Sequence, residues 1–109
     1  VGVDLEQVEA RHPSFVEEWF SEQERVLLAG DPYRVTVAWS AKEAVLKALG
    51  QGMALNPREI QVLDIQGPEI TLQLAGEGAR VHQALGGAPL SVSVKQTPAG
   101  VLVQASFAA

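Results

Sequence analysis

The chain's 109 residues give room for one domain and a modest core. Hydrophobic residues at 47%, charged residues at 19% and no low-complexity run exclude a disordered chain, and no apolar stretch approaches the roughly 18 residues of a membrane-spanning helix. A net charge of -5, with eight basic residues scattered from Arg11 to Lys95, argues against a nucleic-acid surface; the absence of cysteine removes disulfides and thiol chemistry and suits a reducing cytoplasm.

The opening VGVDLE alternates as a half-buried strand does, with Val1, Val3 and Leu5 on one face and Gly2, Asp4 and Glu6 on the other. PSFVEEWF predicts a short helix started by Ser14 with Glu17. FSEQERVLLAG predicts another, with a capping box of Ser21 and Glu24 and a stop at Gly30. Asp31 and Pro32 then form an N-cap and first helical position for a longer helix. It runs to Ala48 or Leu49, before Gly50 and Gly52, with a buried stripe of Val37, Ala41, Val45 and Ala48. Beyond Pro57 the period falls to two, and IQVLDI and EITLQLA form a hairpin about Gly67-Pro68. EGARVHQAL predicts a helix ended by Gly86 and Gly87, and SVSVKQ with VLVQASF a second hairpin across Thr97 to Gly100. Strands that pair as sequence neighbours make this an α+β fold, an antiparallel sheet packed against a long helix.

The charges admit two readings. Glu43 and Lys47, four apart with the acid first, suit an ordinary surface ion pair, and Ser40 with Glu43 suits a second capping box. Ser40, Glu43 and Lys47 otherwise form a polar stripe on one helix face, with Trp39 at its margin. Asp4 and Glu6 repel each other unless a cation or basic group lies between them, although a solvated strand edge would also tolerate them. With Glu43 they offer the oxygen ligands of a hard cation such as Mg²⁺, provided that the first strand lies against the long helix.

VGVDLE, followed by FSEQE and then WSAKEAVLKALGQG, resembles the 4'-phosphopantetheinyl transferases over nearly the whole chain. The motifs are most similar to the C-terminal half of the larger, surfactin-synthetase-activating type, to which Trp39 belongs. The length is that of the short, holo-acyl-carrier-protein synthase type, but LSVSVKQT carries Val94 where the short type has histidine.

The resemblance implies Mg²⁺-dependent transfer of the phosphopantetheine arm of coenzyme A to a serine of an apo acyl or peptidyl carrier protein, releasing adenosine 3',5'-bisphosphate. Fatty-acid or polyketide synthesis would be the setting. It implies that Asp4, Glu6 and Glu43 hold the metal, that Lys47 binds a phosphate, that Lys42 lies near the coenzyme A phosphates, and that Glu43 is also a candidate base. It leaves Glu24 at the rim, with its capping box as the main role, and Arg25 and Arg34 as candidate contacts to an acidic carrier. The start on Val and the length imply one domain, residues 1–109, as a segment of a longer synthase or half of a larger transferase lacking its N-terminal half; alternatively the chain assembles with its own copies as a trimer or dimer. A catalytically silent half that only binds carrier proteins is the alternative function.

Overall fold

The computed structural model of the protein describes residues 1–50 and 55–107; the stop expected at Gly52 lies outside them. Each expected element forms in the expected order: β1 (Gly2–Glu6), α1 (Pro13–Trp19), α2 (Glu22–Leu28), α3 (Pro32–Ala48), β2 (Ile60–Gln66), β3 (Glu69–Leu74), α4 (Gly76–Ala84), β4 (Leu90–Thr97) and β5 (Gly100–Phe107). A 3₁₀ turn, Pro57–Glu59, precedes β2.

Local chemistry explains most of the boundaries. Ser21 and Glu24 cap α2 reciprocally, the Ser21 hydroxyl accepting from the Glu24 amide and the Glu24 carboxylate from the Ser21 amide. Asp31 accepts from the Tyr33 amide at 3.0 Å and starts α3 ahead of Pro32. The end of α2 turns through Ala29 and Gly30, both left-handed, so Gly30 is one of a pair of residues that make the stop. Ser14 is not the cap of α1, contrary to expectation. Pro13 takes the first helical position, which makes His12 the cap, and the His12 ring accepts from the Ser14 amide at 3.1 Å.

The five strands form one antiparallel sheet in the order β1-β5-β4-β3-β2, with the two expected hairpins β2-β3 and β4-β5 inside it. β1, first in the chain, closes one edge against β5, Asp4 opposite Val103 and Glu6 opposite Val101. α3 lies across the inner face, where Val37, Ala41 and Val45 meet Ile60, Val92, Val101, Val103 and Ala105 in a dry core. A buried aliphatic side chain of this size contributes about 1.5 to 3 kcal/mol relative to exposure.

Packing decides which faces of α3 and β1 are covered. The polar stripe of α3 runs from core to water, with Ser40 buried, Glu43 half-buried and Lys47 exposed, while off the stripe Thr36 and Lys42 are as buried as the valines, because the sheet covers one side of the helix and α1 and α2 cover another. β1 keeps its alternation, and the side turned toward α3 is the one with Gly2 and Asp4, as the acidic-site reading required, while Val1, Val3 and Leu5 are exposed. The reason is close approach. A Cβ on Gly2 would overlap the Ala44 carbonyl oxygen, so only glycine lets β1 settle onto the small-residue face of α3.

Candidate active site

Settling β1 on α3 brings the acidic face of the strand to the stripe Ser40, Glu43 and Lys47. The Ser40 hydroxyl donates to Asp4 Oδ2 at 2.7 Å from within the core. Lys47 Nζ reaches Asp4 Oδ1 at 3.0 Å and the Val3 carbonyl at 3.1 Å from the solvent side. The partner of Lys47 is thus Asp4 across the interface, where an ordinary surface pair with Glu43 was one expectation. Spacing on α3 makes this possible, since residues 40 and 47 lie close to two turns apart on one face.

Glu6 and Glu43 complete the acidic group. Burial holds the Glu6 carboxyl above its ordinary value of 4.5, with the Asp4 charge adding to the effect and the Arg11 guanidinium opposing it. Glu43 is raised for the same reasons, burial first and then Asp4, with Lys47 opposing. Each of these carboxyls therefore binds a proton more readily than a solvated glutamate, and each would be relieved by a cation. The three side chains offer only oxygen donors, the ligand type of a hard divalent ion. Among the described residues, no three acidic or histidine side chains converge closely enough to hold a metal ion.

Sequence reasoning missed Arg11. Its Nη2 lies 3.7 Å from Glu6 Oε2, its Nη1 3.7 Å from Glu9 and its guanidinium over the Phe15 ring, while Nε and Nη2 are buried with no hydrogen-bond partner. It also lines, with Arg25, Val16, Leu28 and Val35, a cleft of about 350 Å³ between α1, α2 and the start of α3. No motif or periodicity marks Arg11, which sits in the irregular segment after β1.

Lys42 requires a correction. The resemblance implied that it lies near the coenzyme A phosphates, yet both it and Glu24 are 0% exposed. Its Nζ donates to Glu24 at 3.0 Å, to the Trp19 carbonyl at 3.1 Å and to the Pro57 carbonyl at 3.0 Å, and it lies 4.8 Å from the centre of the Phe20 ring. Three donors meet three acceptors, leaving no proton for a phosphate. Burial lowers the affinity of this amine for its proton and Glu24 opposes that effect. Glu24, expected chiefly as a cap, is both a cap and the buried counter-ion, and it also accepts from the Val62 amide at 2.8 Å. A pair of this kind leaves little trace in sequence, because its partners are 18 residues apart.

Arg25 and Arg34 each spend a donor on a backbone carbonyl, Phe20 and Leu27 respectively, which orders the α1-α2 and α2-α3 junctions. Phe20 is core, and Trp19 and Trp39 pack with it and Phe15 in an aromatic group. His12 caps α1, and His82 stacks on Phe107 and bonds the Ala88 carbonyl, both at a remove from the acidic group.

The fold as a whole is shared with solved acyl-carrier-protein synthases. The ACPS–CoA complex of Chronobacterium ammoniagenes superposes with a TM-score of 0.74 at 26% identity, over 99% of this chain and 96% of that one. A holo-[acyl-carrier-protein] synthase of Streptococcus pyogenes is 33% identical over 79 residues, 61% of this chain and 67% of the relative. The fatty acid synthase subunit alpha of Schizosaccharomyces pombe is 34% identical over 103 residues, which is 86% of this chain but 6% of that subunit. The model of the 4'-phosphopantetheinyl transferase superfamily matches residues 1–97, and the chain belongs to that family of enzymes. Among the described residues no helix is long and apolar enough to cross a membrane.

Proposed function

We propose that the chain transfers the 4'-phosphopantetheine arm of coenzyme A to the serine hydroxyl of an apo acyl or peptidyl carrier protein. The observation that carries this reading is Asp4, gripped by Ser40 and Lys47, beside two glutamates of raised proton affinity. An acidic cluster alone would repel a pyrophosphate, whereas one facing a lysine amine suits a cation-bridged polyanion.

In this reading Asp4, Glu6 and Glu43 are the residues that would hold Mg²⁺ once drawn together around it, and the ion would supply neutralisation of charge on the pyrophosphate. Lys47, half exposed at the rim, exchanges part of its contact with Asp4 for a phosphate oxygen. Glu43, whose carboxyl burial raises above its ordinary value, takes the proton of the carrier's serine as its oxygen attacks the phosphorus that bears the pantetheine arm. The phosphorus-oxygen bond to the nucleotide breaks, and adenosine 3',5'-bisphosphate leaves with the electron pair.

The outward face of β1 favours a homo-oligomer over a lone chain. Val1, Val3 and Leu5 are 78%, 44% and 52% exposed on an edge strand, the kind of surface a monomer rarely leaves bare. A second copy on that face would stand beside the strand that carries Asp4 and Glu6. A fatty-acid carrier is the first to test, because the chain matches a short stretch of a fatty acid synthase subunit alpha.

The test is the intact mass of an apo acyl carrier protein after incubation with the chain, coenzyme A and magnesium. Wild type adds one phosphopantetheine and Asp4→Ala adds none; a silent half would bind the carrier and leave its mass unchanged.

A further inference from the structure

The buried pair Lys42–Glu24 has no role in the reaction described so far, and its geometry ties together five elements of the chain. Lys42 stands on α3. Its three acceptors are the last residue of α1, the first turn of α2 and the 3₁₀ turn before β2, and Glu24 extends the tie to the Val62 amide of β2. Neither side chain touches solvent. Such a pair is a poor source of stability, because the desolvation of two charges offsets most of their attraction, and well-packed apolar replacements are often neutral or stabilising.

Its position on the helix gives it a different use. At about 100° per residue, Lys42 lies roughly 140° to 160° around α3 from Ser40 and Lys47, which grip Asp4, and next in sequence to Glu43. α3 is therefore held on both sides, by Asp4 at the front and by Glu24 and two carbonyls at the back. Helix packing through valine and alanine side chains tolerates small rotations; three hydrogen bonds to one ammonium do not. A roll of about 10° moves a side-chain tip by roughly 1 Å at the helix surface, and a displacement of that size at a reacting group costs on the order of 100-fold in rate.

We infer that Lys42 and Glu24 are positioning residues, which lock the roll of α3 so that Glu43 and Lys47 face Asp4 and Glu6. The inference rests on the transferase reading for its effect on rate, but not for its effect on geometry, and the test separates the two. The variant Lys42→Met with Glu24→Gln removes both charges while keeping volume. kcat for transfer falls ten- to a hundredfold, KM for coenzyme A stays within about twofold, and the protein remains folded by circular dichroism. In parallel, a double-mutant cycle of Asp4→Asn and Lys47→Met, read by urea unfolding, gives a coupling in the wild-type background that disappears in the Lys42→Met, Glu24→Gln background. A coupling that persists overturns the inference whatever happens to the rate, as does an unchanged kcat in an active enzyme. If wild type transfers nothing to any carrier, the transferase reading fails on its own and the coupling cycle still decides the positioning role. Should the double variant not fold, Glu24→Gln alone, which loses the charge and keeps one acceptor, is measured in the same two ways.

Discussion

Glu43 and Lys42 are neighbours in sequence with opposite fates, and the difference is one of direction around the helix. Glu43 is half-buried on the side of α3 that meets β1, where burial and Asp4 raise its carboxyl. Its protonated form is favoured in the folded state, so the folded protein binds more protons than the unfolded one between the ordinary carboxyl value and the raised one, and stability falls as pH rises through that window. Glu43→Gln should therefore melt higher than wild type at neutral pH, the gap closing near pH ~4, where the unfolded carboxyl also takes its proton. Wild-type melting curves that rise together with Glu43→Gln at every pH would contradict this. The same variant should abolish transfer with the fold intact, and wild-type turnover should decline on acidification through the raised Glu43 value, because a protonated carboxyl cannot accept the serine's proton. Asp4→Ala leaves the buried Ser40 hydroxyl without its 2.7 Å partner, a cost of about 1 to 3 kcal/mol in chemical denaturation, besides removing the site's central carboxylate.

At the level of elements, the site depends on how closely β1 approaches α3. Gly2→Ala places a methyl into the Ala44 carbonyl and the Ala48 amide, so the strand must lift off the helix. The expected result is a loss of about 1 to 3 kcal/mol in urea unfolding, as for other overpacked contacts, together with a loss of transfer larger than the stability change explains. Gly100, at φ 137° at the start of β5, is needed for a related reason: a Cβ there would overlap the Glu6 carbonyl of β1. The helices α1 and α2 are fastened by Lys42 from behind. Lys42→Ala alone leaves Glu24 charged and buried, and should cost about 3 to 5 kcal/mol in unfolding experiments, more than any exposed ion pair here could.

At the scale of the whole molecule, the facing of β1 sets the outer surface. A strand that turns Gly2 and Asp4 inward must turn Val1, Val3 and Leu5 outward, so the demands of the site produce an apolar edge. Leu5→Asp, which points away from α3, should shift an oligomer toward monomer in sedimentation velocity without unfolding it. A wild-type chain that sediments as a monomer at high concentration would remove the self-association reading.

The sequence by itself determined the elements and most of their ends. Capping residues, prolines at first helical positions, glycine stops and the change of period from near four to two all act within a few residues, and the structure follows them from α2 to β5. It also held the motifs by which the family is recognised, since Asp4, Glu6, Glu43 and Lys47 fall at fixed spacings in regular elements. What only the tertiary structure decided was direction: which face of β1 turns inward, which side of α3 meets water, and that Lys42 answers Glu24 and not a ligand. Alternation and helical period name two faces without saying which one is covered. That choice is made by packing, here by one glycine that admits a helix backbone and by one buried ammonium whose three partners come from distant parts of the chain.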